Sequence, residues 1–349
     1  MKYRVLEWLA CPACRGSDLV LEIRKTSADE TYHGAWAEDE QDLPGLDHEG
    51  RALLEIMEGA IHCKDCSAIY LITDGIPRMI QEESEEHLAS GHRWTKFHGE
   101  APEYEENFRD MTHPMSPKDY LGKLVVDLGC GFGRHAYYAA RYGAEVLCID
   151  NAPDAVASAQ ANCEGLPRVH VVQGDMTNPP VRDECADFVF CFGVLHHLAD
   201  PRAAFGAIKQ VLKTNGRLQL WVYGPRQGSV AMVSRSLHGA ASGMEDERLH
   251  QFSRWISSGL RLFSHTPYRV LRHTPVMKSV VSHLPAHDHH KWPFDVVVAD
   301  VYDRLRVPVT AYIMGEELER WFADEGYSDI QVTRRVRNNE SFRGMGTRR

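Results

Sequence analysis

The sequence predicts an α/β protein with a doubly wound, seven-stranded, Rossmann-like sheet, an N-terminal zinc ribbon and a helical cap insertion. Short apolar segments alternate with helical segments from residue 124 onward, which is typical of a largely parallel sheet covered by helices. A turn of alternating glycines follows the first of these segments, and two C-x-x-C pairs lie near the N-terminus. We expect a zinc ribbon at 1–80, a linker and N-terminal lid at 81–120, and the α/β domain at 121–349 with its cap at about 225–309.

The glycine turn is the strongest local signal. Gly129, Gly131 and Gly133 alternate between an apolar strand that carries Asp127 and a segment with a helical pattern at 134–142. Glycines allow the backbone to bend sharply and to approach a ligand closely, as in turns that cradle nucleotides. The pattern alone is also compatible with a dinucleotide-binding fold.

The following strands supply polar groups at their ends. Asp150 ends the next apolar strand, about 20 residues after the turn, at the offset expected for a ribose-hydroxyl acceptor. The third strand leads into Asp175 and Met176, and the fourth ends with Cys191 and Phe192. Ligands bind at the carboxyl ends of strands in open α/β sheets, so we expect these residues to share one site.

Four motifs in this order and spacing, VVDLGCGFGRH, VLCID, VVQGDM and FVFCFGVLHHL, resemble those of class I S-adenosylmethionine-dependent methyltransferases of the small-molecule type. The resemblance covers about residues 122–224 closely. It implies S-adenosylmethionine as cofactor, with Asp127 and the glycines at its methionine part, Asp150 at the ribose, and Asp175 with Met176 at the adenine. The implied cofactor-binding residues are Asp127, Gly129, Cys130, Gly131, Asp150, Asn151, Asp175, Met176, Cys191 and Phe192.

His196 and His197 are the candidate catalytic residues. In similar enzymes the stretch GVLHHL lies beside the cofactor, so the two histidines either shape the pocket or act as a general base. The segment Asn178-Pro179-Pro180 resembles a box that positions an exocyclic nitrogen in amino-methyltransferases. Because it follows the third strand instead of the fourth, we interpret it as a chance match, which argues against adenine-N6 chemistry.

The N-terminal cysteines predict a metal site. Cys11 with Cys14 and Cys63 with Cys66 form two knuckles that can direct four thiolates toward one structural zinc ion. The pairs are further apart than the usual 15–20 or so residues, so residues 26–59 are expected to loop out. A thiol redox pair is the alternative, but it would need only one C-x-x-C.

The flanks of these cysteines, LEWLACPACRG and IHCKDCSAIYLITDGIPRMI, resemble bacterial relatives of a small zinc-binding protein that activates RNA and protein methyltransferases. In that family the zinc-binding protein is normally a separate chain. The resemblance implies a resident stabilising or substrate-contacting module in this protein.

Two further segments have open interpretations. Aromatic residues between Trp94 and Phe108 either pack on the sheet or form a lid over the cofactor. Similar enzymes use an insertion such as 224–309 as a cap that selects the acceptor. Inside it, four histidines around Asp288 indicate a solvated loop more strongly than a second metal site; they are His283, His287, His289 and His290.

The composition limits the kinds of binding partner that we expect. A net charge of -10 over 349 residues argues against nucleic acid, since phosphate binding needs clustered lysine and arginine. No segment has the roughly 20 consecutive apolar residues of a membrane span, so no membrane partner is expected. Nine cysteines, four of them in C-x-x-C pairs, favour metal ligation in a reducing, cytoplasmic compartment.

The predicted function is an S-adenosylmethionine-dependent methyltransferase that modifies oxygen, nitrogen or carbon of a small-molecule acceptor. Methylation of RNA or protein through the ribbon is one alternative. A non-catalytic, cofactor-binding regulatory scaffold is the other. The oligomeric state stays open, with a homodimer among the options.

Overall fold

A computed structural model describes residues 1–27, 31–37, 55–80, 102–225, 236–237, 239–241, 243–306, 311–335 and 341–349. The predicted linker with Trp94 and the beginning of the predicted cap therefore lie mostly outside the described residues. All statements below concern the described ranges.

Twelve strands form one sheet in the order β11-β12-β10-β9-β6-β7-β8-β5-β4-β3-β1-β2. The strands are β1 (Leu19–Thr26), β2 (Thr31–Ala37), β3 (Ile56–Cys63), β4 (Ile69–Thr73), β5 (Ile76–Met79), β6 (Leu124–Leu128), β7 (Glu145–Asp150), β8 (Val169–Gly174), β9 (Ala186–Phe192), β10 (Leu212–Tyr223), β11 (Tyr327–Arg334) and β12 (Ser341–Arg348).

Within the described ranges, nine α-helices accompany them: α1 (Pro102–Thr112), α2 (Arg134–Arg141), α3 (Pro153–Asn162), α4 (Pro201–Val211), α5 (Asp246–Leu260), α6 (Thr266–Leu271), α7 (Pro275–Val281), α8 (Phe294–Arg306) and α9 (Gly315–Asp324).

The strands after residue 120 have a doubly wound arrangement. Strands β6 to β10 are parallel, and β12 lies antiparallel between β10 and β11. From β6 the chain builds β7 and β8 on one side and then β9 and β10 on the other. This reversal creates a topological switch point at β6 and β9, where open α/β sheets bind ligands.

Alternate residues of the central strand face two different cores. Val126 and Leu128 of β6 belong to a hydrophobic cluster that includes residues of α4 and α9. Val125 belongs to a second cluster, with residues of α1, α2 and α3. Strands that are buried on both faces have continuous apolar sequences, which explains why β6 and β7 were recognisable.

The N-terminal strands continue the same sheet, so it has five more strands than predicted. Arg78 and Met79 of β5 pair in parallel with Gln173 and Gly174 of β8. An unpaired edge strand exposes a row of backbone donors and acceptors, and β5 covers the carboxyl end of that row on β8. The expected loop at 26–59 is also partly wrong, because its ends lie in β1 and β3 and residues 31–37 form β2.

The described aromatic residues of the predicted lid lie in the core. Phe108 of α1 is fully buried, and its ring centroid is 5.7 Å from that of Tyr120 and 5.8 Å from that of Phe190. Tyr104 is 6% exposed and its ring is 5.9 Å from Phe132. This helix therefore packs on the sheet.

Arginine side chains join the zinc-ribbon region to the α/β region. Arg182, just before β9, donates hydrogen bonds to the carbonyl oxygens of Leu6 at 3.2 Å, Leu9 at 3.1 Å and Ser17 at 3.1 Å. In the opposite direction, Arg15 donates to the carbonyls of Pro179 and Val181. Each side thus supplies a guanidinium to backbone oxygens of the other.

We predict that Arg182→Met lowers the free energy of unfolding by about 2–4 kcal/mol, because three carbonyls lose a charged donor. Urea unfolding measures the change. Arg320→Met is the matched control, since Arg320 is exposed and its described hydrogen bond, to the Glu316 carbonyl, lies within α9. Equal stability of the two variants would show that the junction does not depend on Arg182.

Candidate functional site

The glycine turn after β6 folds back on β7. The amide of Gly129 donates to the carbonyl of Ile149 at 2.8 Å, and the amide of Cys130 donates to the same oxygen at 3.1 Å. Gly129 has a φ of 73° and Gly131 a φ of 55°, in the left-handed region that favours glycine. A Cβ on Gly129 would also lie 2.4 Å from a methyl carbon of Val194, so no side chain fits there.

Asp150 holds this turn from the end of β7. Its Oδ2 accepts the amide of Gly131 and its Oδ1 accepts the amide of Ala152, both at 3.0 Å. A carboxylate has about four acceptor positions, so this type of group can accept ligand hydroxyls as well as backbone amides. Asn151 is fixed alongside, because its carbonyl accepts the Gln173 amide at 2.8 Å.

Asp127 is a buried carboxyl at the end of β6, only 1% exposed. Burial, assisted by the negative charge of Asp150, raises its pKa to about 7, while Arg134 and a backbone hydrogen bond from Ala136 act in the opposite direction. Among the described residues, its Oδ2 has no hydrogen-bond partner. A buried acceptor of this kind fits a cationic donor on a ligand, such as the amino group of S-adenosylmethionine.

Two further buried polar atoms lie near this edge of the sheet, and sequence reasoning did not identify them. His135 Nδ1, at the start of α2, and Trp221 Nε1, on β10, have no hydrogen-bond partner within the described ranges. The His135 ring is 5.0 Å from that of Phe192, and a Cβ on Gly193 would be 3.0 Å from the Trp221 ring. Burial keeps the pKa of His135 well below its usual value, so its imidazole is neutral.

The other implied cofactor residues have different environments. Asp175 accepts hydrogen bonds from the amide and the hydroxyl of Thr177, both at 2.8 Å, and so shapes the loop after β8. Met176 and Phe192 are each 7% exposed, whereas Cys191 is fully buried. Contact of Cys191 with a ligand would therefore have to use its backbone.

The two candidate catalytic histidines differ in accessibility. His196 is fully buried, and its Nδ1 accepts the backbone amide of Tyr223 at 3.3 Å. Burial lowers the pKa of His196 well below its usual value. Because the acceptor nitrogen of this neutral ring already faces the backbone, the partly exposed His197 has the better position for a general base. The base role of either residue stays a prediction.

Helix α8 brings a polar cluster close to the glycine turn. Arg304 forms an ion pair with Asp300 at 2.8 Å, and its guanidinium lies 5.5 Å from the ring centroid of Tyr223. Burial acts to raise the pKa of Asp300, but Arg304, His289 and Arg134 bring it below its usual value. Arg134 begins α2 directly after the glycine turn, so this cluster borders the candidate site.

The histidines before α8 bond mainly to the backbone. The Nδ1 atoms of His283, His287 and His290 lie 2.7, 3.1 and 2.9 Å from the carbonyl oxygens of Ser279, Leu284 and His287. The ring of His289 stacks on Trp292 with centroids 3.8 Å apart. The side chain of Asp288 lies outside the description.

The four predicted zinc ligands form one cluster. Cys11 and Cys66 have sulfurs 3.6 Å apart, as do Cys14 and Cys63, and all four sulfurs lie within 4.8 Å of one another. Tetrahedral zinc with bonds of about 2.3 Å needs sulfurs about 3.8 Å apart, so the cluster fits this ion. The amide of Gly16 also points to the Cys14 sulfur at 3.4 Å.

The segment around the first two cysteines contacts the loop after β8, which carries Asp175. Asn178 donates from its side-chain amide to the carbonyl of Pro12 at 2.8 Å, and the amide of Ala10 donates to the carbonyl of Pro180 at 3.2 Å. Residues Asn178-Pro179-Pro180 therefore dock the first cysteine knuckle. This contact gives the three residues a structural role, in line with our interpretation of the box as a chance match.

Within the described residues, no helix is long and apolar enough to cross a membrane.

Family models match two parts of the chain. A methyltransferase-domain model covers residues 126–220, and a Trm112p-like protein model covers residues 2–75. These matches coincide with the doubly wound strands that bear the glycine turn and with the region of the four cysteines.

Curated relatives align over limited lengths. A ubiquinone biosynthesis O-methyltransferase of Xanthomonas oryzae pv. oryzae is 33% identical over 147 residues, which is 40% of this chain and 60% of the relative. A protein of Synechococcus sp. without an assigned function is 26% identical over 222 residues, 61% of this chain and 49% of the relative. The chain thus spans about half to three fifths of the length of these relatives.

Solved structures align loosely. An S-adenosylmethionine dependent methyltransferase from Mesorhizobium loti has a TM-score of 0.31 at 25% identity, covering 34% of this chain and 52% of its own. Magnesium protoporphyrin IX methyltransferase from Synechocystis PCC 6803 has a TM-score of 0.41 at 15% identity, covering 77% and 90%. On the family matches and the site together, the chain contains a Trm112p-like, zinc-ribbon region followed by a methyltransferase domain of the S-adenosylmethionine-dependent kind.

Proposed function

We propose that this protein transfers a methyl group from S-adenosylmethionine to a small-molecule acceptor. One observation carries the proposal: the buried Asp127 has an unsatisfied acceptor oxygen beside a left-handed glycine turn, and Asp150 holds that turn. Leaving a buried acceptor unpaired costs about 1–3 kcal/mol, so the site is better satisfied with a ligand donor than without one.

Different residues would bind different parts of the cofactor. Asp127 and the glycine turn would hold the methionine part, with the neutral His135 nearby, and Asp150 would accept the ribose hydroxyls. Asp175 and Met176 would border the adenine. When bound, the cofactor supplies a methyl group on a positively charged sulfur, which an acceptor atom attacks in line. The protein's part is mainly to fix the two reactants at attack distance in a dry pocket.

The acceptor side is proposed to lie between the carboxyl ends of β9 and β10 and helix α8. The Trp221 indole N–H is a buried donor on β10, and the Arg304 guanidinium lies over Tyr223 at the end of the same strand. We infer that the segment of about 225–309 acts as a cap that covers and selects the acceptor. We propose that His197, the partly exposed histidine of the pair, takes a proton from the acceptor.

A hydroxyl is the first acceptor to test, since the Xanthomonas relative is named an O-methyltransferase. The net charge of -10 disfavours RNA as the substrate. The cysteine knuckle contacts Asn178 and Pro180 of the same chain, which favours a structural role for the zinc ribbon over recruitment of another protein. The two C-x-x-C pairs, which suit metal ligation in a reducing compartment, favour a cytoplasmic location.

The direct test is transfer of labelled methyl from S-adenosylmethionine to a panel of hydroxyl, amine and carbon acceptors. Turnover of a small molecule supports the proposal. Binding of S-adenosylhomocysteine without turnover of any acceptor class would favour the non-catalytic scaffold, and transfer only to RNA or protein would favour the other alternative.

We predict that Asp150→Ala weakens S-adenosylhomocysteine binding by well over tenfold. Loss of charge-assisted hydrogen bonds worth about 1.5–3 kcal/mol each accounts for this size, and the turn also loses its acceptor for the Gly131 amide. Isothermal titration calorimetry measures the affinity. The exposed carboxylate of Asp324, at the end of α9, provides the control Asp324→Ala; an unchanged affinity in Asp150→Ala would refute the ribose assignment.

We predict that Asp127→Asn raises the free energy of unfolding but weakens cofactor binding. In the folded ligand-free protein Asp127 keeps its proton up to about pH 7, whereas in the unfolded chain it ionises near pH 4. Stability contributed by this group therefore falls as pH rises through that window, and the asparagine variant should be more stable above pH 7 by up to about 4 kcal/mol.

Binding should change in the opposite sense. Wild-type affinity for S-adenosylhomocysteine should rise with pH through about 7 as Asp127 ionises, whereas Asp127→Asn should bind at least about tenfold more weakly and without this pH dependence. Calorimetry and urea unfolding at pH 6 and pH 8 test both statements. A variant that binds like the wild type would contradict the role of the carboxylate.

For the zinc ribbon, we predict that Cys63→Ser reduces bound zinc from one ion per chain and lowers the unfolding temperature, because metal binding contributes directly to folding. Elemental analysis and calorimetric melting are the measurements. Cys185→Ser, at a cysteine outside the cluster, should retain its zinc. Wild-type protein without stoichiometric zinc would exclude the zinc site.

A further inference from the structure

Helices α5, α6 and α7 expose an unusual number of large apolar side chains. Within the described residues, seven of the twelve exposed large hydrophobic residues lie in this short part of the chain. They define what we term the outer cap face: Trp255, Leu262, Phe263, Val270, Val276, Met277 and Val280. Several are well over half exposed, such as Trp255 at 80%, Phe263 at 73% and Val276 at 77%. Clusters of this kind usually mark an interaction site.

Four of the exposed residues lie on one continuous helical segment, and the other three lie on α7; the four are Trp255, Leu262, Phe263 and Val270. Helix α5 runs through a π-helical turn at Arg261–His265 directly into α6. Trp255, Leu262 and Val270 recur at helical spacing, so they project to a similar side. The buried positions Leu249, Ser253 and Ser257 fall on a different side, and Leu249 packs with residues of α8.

The outer cap face points away from the catalytic domain. Leu249 of α5 packs with Val297 and Val301 of α8 in a small hydrophobic cluster. Other residues of α8, Val296 and Ala299, pack against the core cluster that contains the glycine-turn residue Phe132. Helix α8 is therefore sandwiched between the domain and α5, and α5 presents its opposite side to the outside.

Charge distinguishes this face from an ordinary apolar patch. From residue 248 to residue 287 there are five arginines and one lysine and no aspartate or glutamate, in a chain whose net charge is -10. Arg269 and Lys278 are exposed next to Val270 and Met277, and neither forms an ion pair with a carboxylate in the described part of the chain. The face thus combines apolar and cationic side chains.

We infer that the outer cap face docks on an anionic lipid surface. A bilayer boundary accepts both kinds of group at once, because apolar side chains enter the boundary between headgroups and acyl chains while arginine and lysine attract anionic headgroups. This docking is peripheral, so it does not require a helix that spans the membrane. The inference is independent of methyl transfer.

Other occupants fit less well. A second copy of the same face would bring two cationic surfaces together in a symmetric contact. RNA would use the cations and the aromatic rings but would leave aliphatic residues such as Val276 and Val280 in water. An anionic bilayer leaves neither group unsatisfied.

Vesicle flotation of the full-length protein tests the inference. Vesicles that contain phosphatidylglycerol should bind at least about tenfold more tightly than pure phosphatidylcholine vesicles, and high salt should weaken the binding. The double variants Trp255→Asp/Phe263→Asp and Arg269→Glu/Lys278→Glu should each lose at least about tenfold in affinity. All four positions are exposed, and circular dichroism melting verifies that the variants are folded.

The matched control is Ile69→Asp/Leu71→Asp, which changes two exposed apolar residues of β4 in the zinc-ribbon region. It should bind vesicles like the wild type. Equal binding to both kinds of vesicle, or wild-type binding by both cap variants, would overturn the inference. Two other results would also overturn the inference. One is a cap variant that dissociates a dimer in sedimentation equilibrium while its vesicle binding is unchanged. The other is RNA binding that depends on the outer cap face in a protein that does not bind vesicles.

Discussion

The burial of the Asp127 carboxyl is the physical constraint on which the candidate site depends. Strand β6 is covered on both faces, so the carboxyl at its end leaves water, and the nearby negative charge of Asp150 adds to the cost of ionising it. No described donor reaches Oδ2. The positive φ angles of Gly129 and Gly131 form the turn that directly follows this carboxyl in the chain. The site is thus prepared for a cationic ligand donor, whose binding should be accompanied by proton release.

The zinc-ribbon region supports the opposite edge of the same site. Strand β5 extends the sheet at β8, and the loop after β8 contacts the first cysteine knuckle through Asn178 and Pro180. Arg182 and Arg15 add guanidinium bonds to backbone carbonyls across the same junction. Loss of zinc would therefore loosen a loop whose other end carries Asp175. In this chain, backbone hydrogen bonds join the ribbon directly to the domain. The link between the two regions therefore does not depend on side-chain contacts alone.

Local patterns allowed the central strands and the cysteine cluster to be predicted from the sequence. The apolar strand β7 with its terminal Asp150 and the C-x-x-C pairs each require specific residue types at fixed spacing. The pairing of β5 with β8 could not be predicted, because a four-residue strand has no periodicity that specifies its partner. His135 and Trp221 were missed for a related reason. A buried polar atom is recognised as unsatisfied only when every neighbour is known.

The predicted cap has its own hydrophobic cluster, separate from the two clusters that flank the sheet. Leu249, Val297 and Leu305 belong to this cluster and tie α5 to α8. Contacts between α8 and the domain are of both kinds: Val296 and Ala299 pack against a core cluster of the sheet, and polar contacts include the charge interaction of Asp300 with Arg134 and the Arg304 guanidinium over Tyr223. Partly exposed charge interactions are weaker than a dry apolar contact, because water and salt screen them. Helix α8 therefore links the cap to the domain, because its apolar residues pack on both α5 and the core cluster while its charged residues reach Arg134 and Tyr223.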